Sequence, residues 1–569
     1  MTRITGPGGP LPLGSINRDG RTVPVIAGVP PTLPAYFGHF CREHAAKTFL
    51  VSGTERLSFG DTYTAAQSLA RGLVDRFGVV QGDRVGIAMC NSPAWIIFYM
   101  AILMAGGVAT LLNGWWQRDE LLDAVGDVDC RLVFADAPRA ARLAGAKARI
   151  VVIDDAQPLP DIVTALLQGA SVRTELPRMV PDDWATILFT SGSTGRSKGA
   201  LSDHRAVTQC IFNYLAQTLV MQQVSMEDGI DVNRPPATLL CMPLFHVTGE
   251  IPVFLLSMAI GRKLVIMPKW DAEEAMRLIQ AEQVTYFVGV PLMSYEILTH
   301  RRRGLYDLST VTDFVAGGAP RPPGHVIRMH AELEGKPLIG YGLTESNGIG
   351  SVNVRSNYLA KPDSAGRAAL PLVELILLDE AGRHLPRGTR GEVAMRSVCN
   401  FREYWRDPAA TAAAFTADGF LRTGDIGYLD DDGYLFIIDR KKDIIIRGGE
   451  NIACQEVEAA IYRHPDVVEC VVFGLPDERL GEIPACVIHF RSGKSGSAQE
   501  MRDFLAPHIA AFKVPQATWS SPMPLPRLGS EKIDKLSLRA HCRLELIIGP
   551  TLPASTAAEN AAGWALRRI

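Results

Sequence analysis

The sequence predicts an α/β fold with a large, multi-sheet N-terminal domain and a small α+β C-terminal domain. Three observations predict it. Short apolar runs of strand length alternate with helically spaced segments through most of the chain, the rhythm of parallel sheets covered by helices. At 569 residues and 47% hydrophobic, the chain exceeds what one core usually organises, so two or more domains are expected. A charged run at residues 439–443 then precedes a compact strand and helix pattern of roughly a hundred residues, a sensible size for a separate module.

In chain order, residues 1–30 read as a flexible tail, because the opening is rich in Pro and Gly and carries no apolar core of a signal peptide. Apolar residues at helical spacing follow over 57–77, and 84–89 reads as a strand. The stretch 94–112 carries no charge and approaches the length of a membrane span. Asn91 and Ser92 before it, Gly106-Gly107 within it and the lack of a flanking basic cluster favour a buried helix followed by a strand, and no integral membrane segment. Runs at 131–135 and 149–153 continue the pattern.

The strand expected at 185–189 empties into Thr190-Ser191-Gly192-Ser193-Thr194-Gly195-Arg196-Ser197-Lys198-Gly199. Hydroxyls, glycines and a lysine delivered into one loop present donors and a cation at one point, as a polyphosphate requires. The spacing is not that of the common P-loop, since no lysine followed by Ser or Thr sits at the required distance from a glycine.

Further strands are expected at 238–242, 263–267, 285–290 and 311–316, with a helix at 272–281. The first ends in Pro243-Leu244-Phe245-His246, and the last in Gly317-Gly318-Ala319-Pro320, where glycine permits close approach of a ligand or a tight turn. Gly340-Tyr341-Gly342-Leu343-Thr344-Glu345 is richer. Tyr341 offers a plate for an adenine ring, Thr344 a hydroxyl for a phosphate, and Glu345 a carboxylate for Mg²⁺. Thr423-Gly424-Asp425 is an ordinary turn by itself.

After the charged run come an amphipathic segment at 455–463, strands at 467–473 and 485–490, and a helix at 500–508. Leu525-Pro526-Arg527 and Ile533-Asp534-Lys535 then frame Lys532, and an Ala-rich segment from 549 to the end reads as a mobile appendage. The expected domains are thus a tail at 1–30, a large domain at 31–440, a small domain at 441–545 and a C-terminal tail at 546–569.

Net charge is -3 with both signs interspersed, which offers no basic stripe to a nucleic acid and leaves small-molecule chemistry as the default. Ten cysteines are scattered without a C-x-x-C pair, so neither zinc nor redox work is indicated and a reducing cytoplasm fits.

These motifs, in this order, resemble those of the adenylate-forming superfamily of acyl-CoA synthetases, peptide-synthetase adenylation domains and beetle luciferases, and the resemblance runs from Phe37 to Cys542. It implies ATP, Mg²⁺ and coenzyme A as cofactors and a small-molecule carboxylic acid as substrate. Thr190, Ser191, Gly192, Ser193, Thr194, Gly195 and Lys198 would cradle phosphates, with Tyr341 and Thr344 also on the nucleotide and Glu345 on the metal. Asp425 would accept the ribose hydroxyls and Arg440 would contact the ribose. Lys198, Thr344, Glu345 and Lys532 would be catalytic; Lys442 would be the hinge of a mobile lid; His246, Gly317, Gly318, Gly340, Gly448 and Gly449 would line the acyl and CoA pockets.

Amino-acid-activating members commonly have Asp where His246 falls, so an unsubstituted acid is implied, with a fatty or related apolar acid leading. The family's usual glycine before the catalytic lysine is Glu531 here, which leaves Lys535 as an alternative to Lys532. An aryl-CoA ligase, a carrier-loading acyl-AMP ligase, a luciferase-like oxygenase and a non-catalytic nucleotide-binding scaffold remain as rivals. No extra segment of the carrier-loading kind is evident between Thr344 and Asp425. The oligomeric state is left open, a homodimer included.

Overall fold

Ser92 accepts a hydrogen bond from the Trp95 amide at 3.2 Å and starts the helix Pro93–Met104, every residue of which is buried. Gly106, at φ +81°, turns the chain into the strand Val108–Leu111. The uncharged stretch is therefore a core helix and strand, and no helix among the described residues is long and apolar enough to cross a membrane. The structure is a computed structural model; it describes all residues except 169–173, 191–196, 228, 230–232, 334, 442, 448–449, 529–531 and 549–565.

The chain folds as two compact units, the first comprising Met1–Arg321, His325–Ile376 and Ala394–Arg422, the second Pro322–Gly324, Leu377–Val393 and Thr423–Ile569. The compact boundary thus falls ahead of the expected 440/441.

The first unit holds two large sheets. One is ordered Glu403–Tyr404, Gly199–Asp203, Trp184–Phe189, Val108–Leu111, Arg84–Ala88, Leu132–Asp136, Arg149–Ile153; its last five strands are parallel. The other has nine strands, with a parallel centre formed by Lys336–Tyr341, Asp313–Ala316, Tyr286–Gly289, Ala237–Leu240, Lys263–Ile266 and Thr48–Ser52. The buried helix lies in the core beside Tyr36, Phe37 and Phe254; Trp95 stacks on Tyr99 with ring centroids 5.5 Å apart. Such aromatic pairs are worth about 1 kcal/mol beyond the area they bury.

Residues 1–30, expected as a flexible tail, instead carry the antiparallel hairpin Leu13–Arg18 and Arg21–Ile26. Arg18 pairs with the buried Asp203 at 2.5 Å, and the Gln209 amide brackets the backbone of Ile26. Both partners are distant in sequence, so local composition could not reveal them.

The second unit contains most of a five-stranded sheet and, beyond it, a module in which Gly481–Phe490 pairs with Val467–Asp477, Ala517–Ser521 and Ile445–Arg447. The helices Cys454–Ile461 and Ala498–Leu505 pack over one apolar cluster, while Trp519 and Leu538 belong to another. The helix Lys535–Ile548 runs past the expected end of the module at 545. The Ala-rich segment expected as an appendage lies, over 549–565, outside the described residues; beyond it Arg567–Arg568 pair as a strand with Ala517–Ser521.

Candidate active site

The strand Trp184–Phe189 and its antiparallel partner Gly199–Asp203 put the two ends of the decapeptide side by side. The Thr190 amide donates to the Lys198 carbonyl at 3.0 Å, and the Lys198 amide to Thr190 Oγ1 at 3.4 Å. Ser191, Gly192, Ser193, Thr194 and Gly195 lie outside the described residues. On its other edge Gly199–Asp203 pairs with Glu403–Tyr404, opposing Ala200 to Tyr404. That register brings the Tyr404 ring centroid to 5.0 Å from Lys198 Nζ, which also lies 3.5 Å from Asp407 Oδ2.

The Tyr404 hydroxyl donates to Glu345 Oε1 at 2.6 Å. Burial, then the adjacent Glu345, pushes the phenol above its ordinary pKa, so it stays a donor. Lys198 and Glu345, widely separated in the chain, are thereby joined through one aromatic ring. Sequence reasoning missed Tyr404 and Asp407. The only local signal was an aromatic and charged cluster, Tyr404-Trp405-Arg406-Asp407, which resembles many surface loops.

Glu345 sits in a single turn, Thr344–Ser346, that is tied down on both sides. Its carbonyl accepts from the Phe401 amide at 2.8 Å. Asn347, in the left-handed region at φ +52°, donates its side-chain amide to the Cys399 carbonyl at 2.7 Å and to Ser202 Oγ at 3.1 Å. Gly342 is required by the turn, since a Cβ there would stand 2.2 Å from the Gly348 carbonyl oxygen. Tyr341 ends the strand Lys336–Tyr341 and is half-buried.

The strand Ala237–Leu240 is flanked by Lys263–Ile266 on one side and Tyr286–Gly289 on the other, all parallel. The chain leaving it passes to one neighbour and later returns to the other, the topological switch at which open parallel sheets hold ligands. His246 lies on the segment that leaves this point, which Asn91 pins by accepting from the Leu244 amide at 2.9 Å and donating to the Met242 carbonyl at 2.8 Å. Gly317 and Gly318 follow the neighbouring strand Asp313–Ala316, and Gly340 lies near the end of the next. A Cβ on Gly340 would meet nothing within 4 Å, and one on Gly317 only the Gly340 oxygen at 3.5 Å, so an open space adjoins both glycines. His246, Gly317, Gly318, Gly340, Tyr341, Thr344 and Glu345 thus share the carboxyl edge of one sheet.

Behind His246, Glu250 is wholly buried on the π-helical segment Gly249–Leu255 and accepts a hydrogen bond from the Tyr99 hydroxyl at 2.7 Å. Burial pushes its carboxyl up to about 8, with Tyr99 opposing that shift. Its role is structural: a neutral acid in an aromatic core.

Within the second unit, Asp425 and Arg440 face each other across the antiparallel strands Leu421–Leu429 and Leu435–Arg440, with Arg440 Nε 3.4 Å from Asp425 Oδ1. Asp425 is 4% exposed. Lys442, Gly448, Gly449 and Glu531 lie outside the described residues. Lys532 is half-buried, and the segments on either side of it are paired by the bonds Leu528 N to Lys532 O and Asp534 N to Pro526 O, each 2.7 Å. Lys535 has its ammonium 3.6 Å from Asp443 Oδ2.

Family profiles match over most of the chain: one described as AMP-binding enzyme over residues 37–405 and one as AMP-binding enzyme C-terminal domain over 456–532. The chain belongs to the AMP-binding, adenylate-forming enzymes. Within them it is of the acyl-CoA synthetase type. It is 30% identical over 507 residues to a long-chain-fatty-acid–CoA ligase of Bacillus subtilis, covering 83% of this chain and 88% of that one. It is 32% identical over 490 residues to a long-chain-fatty-acid–CoA ligase of Mycobacterium tuberculosis, with 84% and 92% covered. Among solved structures, ATP-bound MatB from Rhodopseudomonas palustris matches with a TM-score of 0.77 at 27% identity, over 90% of this chain and 99% of that one. A fatty acyl CoA synthetase from Mycobacterium tuberculosis gives 0.68 at 28% identity, over 90% and 98%. The resemblance and the fold class read from the sequence are both borne out.

Proposed function

We infer that this protein is an AMP-forming acid:CoA ligase that activates a carboxylic acid with ATP and passes the acyl group to coenzyme A, with a fatty or related apolar acid as its substrate. The observation that carries the reading is the Lys198–Tyr404–Glu345 arrangement beside the hydroxyl- and glycine-rich loop, in a chain that resembles fatty acyl-CoA ligases along most of its length.

A carboxylate is a poor acyl donor because its leaving group would be oxide. Attack by the carboxylate oxygen on the α-phosphorus of ATP forms a mixed anhydride and breaks the bond to pyrophosphate, leaving AMP as a good leaving group. The step needs charge neutralisation more than an acid or base. Lys198 supplies a cation, and Tyr404 orients the Glu345 carboxylate by holding one of its oxygens. The second oxygen has no hydrogen bond among the described residues, which fits a magnesium ion that takes one or two carboxylates and fills its shell with phosphate and water. Mg²⁺, when bound, neutralises phosphate charge.

The open space beside Gly317 and Gly340 fits a substrate group that a side chain would displace. Asp425, a buried carboxylate, has the acceptor pair that a ribose diol needs. Lys532 is assigned to adenylation and Lys442 to the hinge on the strength of the resemblance. CoA attack then expels AMP and leaves the thioester. The ten cysteines are all free thiols, consistent with a reducing, cytoplasmic setting.

The test is ligation by purified enzyme with ATP, Mg²⁺ and CoA across short, medium and long fatty acids, benzoates and cinnamates. Acyl-CoA with AMP is expected for the apolar chains; ATP binding without turnover of any acid would leave only a scaffold.

A further inference from the structure

Lys535 is the first residue of the helix Lys535–Ile548, where the positive end of the helix dipole disfavours a cation by about 0.3–1 kcal/mol. Its side chain is nonetheless only 24% exposed and lies among acidic groups from other segments. Asp443 Oδ2 is 3.6 Å from its ammonium. Cys454 ties two of the acidic residues together: its amide donates to Asp439 Oδ2 and its thiol to the Asp443 carbonyl at 2.9 Å. Glu458, one turn further along the same helix, accepts from the Val472 amide at 2.8 Å. Burial opposes the charge on Lys535, but Cys454, Glu458, Asp443 and Asp439 together hold its pKa above the ordinary lysine value. Burial raises Glu458 to about 7, and Lys535 restrains that rise.

The segment 439–443 therefore meets the start of Lys535–Ile548 through Asp443 and the helix Cys454–Ile461 through Cys454, while Glu458 of that helix is tied to the strand Val467–Asp477. Immediately before Lys535 stand the paired segments that flank Lys532. The outgoing limb is fixed by Glu469, which accepts from the Leu525 amide at 2.6 Å and pairs with Arg527. The return limb closes through Asp534, whose carboxylate accepts from the Ser537 amide at 3.1 Å, and then enters the Lys535 contact. Glu469 and Lys535 thus hold the two paired limbs on either side of Lys532.

We propose that Lys535 is a positioning residue for adenylation: its ammonium, paired with Asp443 on the far side of the hinge residue Lys442, fixes the chain that carries Lys532 relative to the hinge, so that Lys532 is held in place for the adenylation step. The proposal rests on the ligase reading and on Lys532 as the lysine that serves adenylation. It gives the charged run at 439–443 a second task besides flanking Lys442. It also separates the two lysines by function, since an ammonium anchored in this way is not available to a phosphate.

The experiment compares wild type, Lys532→Ala, Lys535→Met and Lys535→Arg in two assays: ATP–pyrophosphate exchange with the best acid, and thioester formation from supplied acyl-adenylate and CoA. Lys535→Met is expected to lower exchange at least tenfold through kcat, with KM for ATP within about twofold and thioester formation within about threefold of wild type; Lys535→Arg recovers most of the exchange. Parallel loss of both half-reactions, or undiminished exchange, overturns the proposal. Should Lys535→Met lose its cooperative melt, Asp443→Asn reads the same split at nearly unchanged volume, and parallel loss there also overturns it. Wild-type enzyme without exchange for any acid contradicts the ligase reading itself, and the positioning role with it.

Discussion

Tyr404 donates its hydroxyl to Glu345 Oε1 at 2.6 Å while the face of the same ring lies 5.0 Å from Lys198 Nζ. The strand pair Gly199–Asp203 and Glu403–Tyr404 creates this arrangement by placing Tyr404 opposite Ala200. Tyr404→Phe keeps the ring under Lys198 and removes the bond to Glu345. A hydrogen bond to a charged group is worth about 1.5–3 kcal/mol, so adenylation should fall roughly tenfold or more. The fall should be deeper at limiting Mg²⁺. A magnesium titration of ATP–pyrophosphate exchange checks this; identical curves would remove Tyr404 from the site.

Lys198 ends the hydroxyl- and glycine-rich motif just ahead of the strand Gly199–Asp203, and its partner Asp407 is 40% exposed at the side chain. Lys198→Met should lower adenylation about a hundredfold, in the range of other lost transition-state donors. Asp407→Asn should change it less than about threefold, because an exposed, solvent-screened ion pair contributes little. Steady-state exchange kinetics on both variants would show the difference, and equal effects would make the ion pair, not the lysine alone, the functional unit.

Lys442→Pro should retain acyl-adenylate formation and lose thioester formation, since proline fixes φ where the resemblance implies a rotating backbone. Lys532→Ala should do the reverse. Quenched-flow separation of the half-reactions distinguishes them; loss of both steps in Lys442→Pro would contradict the hinge assignment.

Glu250 makes stability depend on pH. Its carboxyl ordinarily ionises near 4.5 but is pushed up to about 8 by burial, so between those values the folded state binds a proton that the unfolded state has lost. Stability from this group is full below about pH 4.5 and is lost as pH rises through 8, by up to about 1.4 kcal/mol per pH unit in between. Glu250→Gln should flatten the decline in melting temperature between pH 6 and 8.5, measured by calorimetry. A wild-type slope unchanged by the substitution would place the proton elsewhere.

What the sequence made legible was what neighbours in the chain determine. Ser92 and Gly106 divide an uncharged stretch into helix and strand, and the strand Trp184–Phe189 stands where expected. Lys198 and Glu345 were visible because each sits in a dense local motif. Tyr404 and Asp407 were not, because their importance comes from a sheet edge that joins residues 200 and 404. The N-terminal hairpin was hidden for the same reason: Asp203 and Gln209, which anchor it, lie far along the chain. Helical and strand periodicity report which face is buried, and long-range pairing supplies the partner.

The most direct measurement follows oxygen. With a fatty acid labelled with ¹⁸O at both carboxylate oxygens, purified enzyme, ATP, Mg²⁺ and CoA, mass spectrometry of the products should find one label in AMP for each acyl-CoA formed, and none in pyrophosphate. Label in pyrophosphate or orthophosphate, or ADP in place of AMP, would contradict attack by the acid at the α-phosphate.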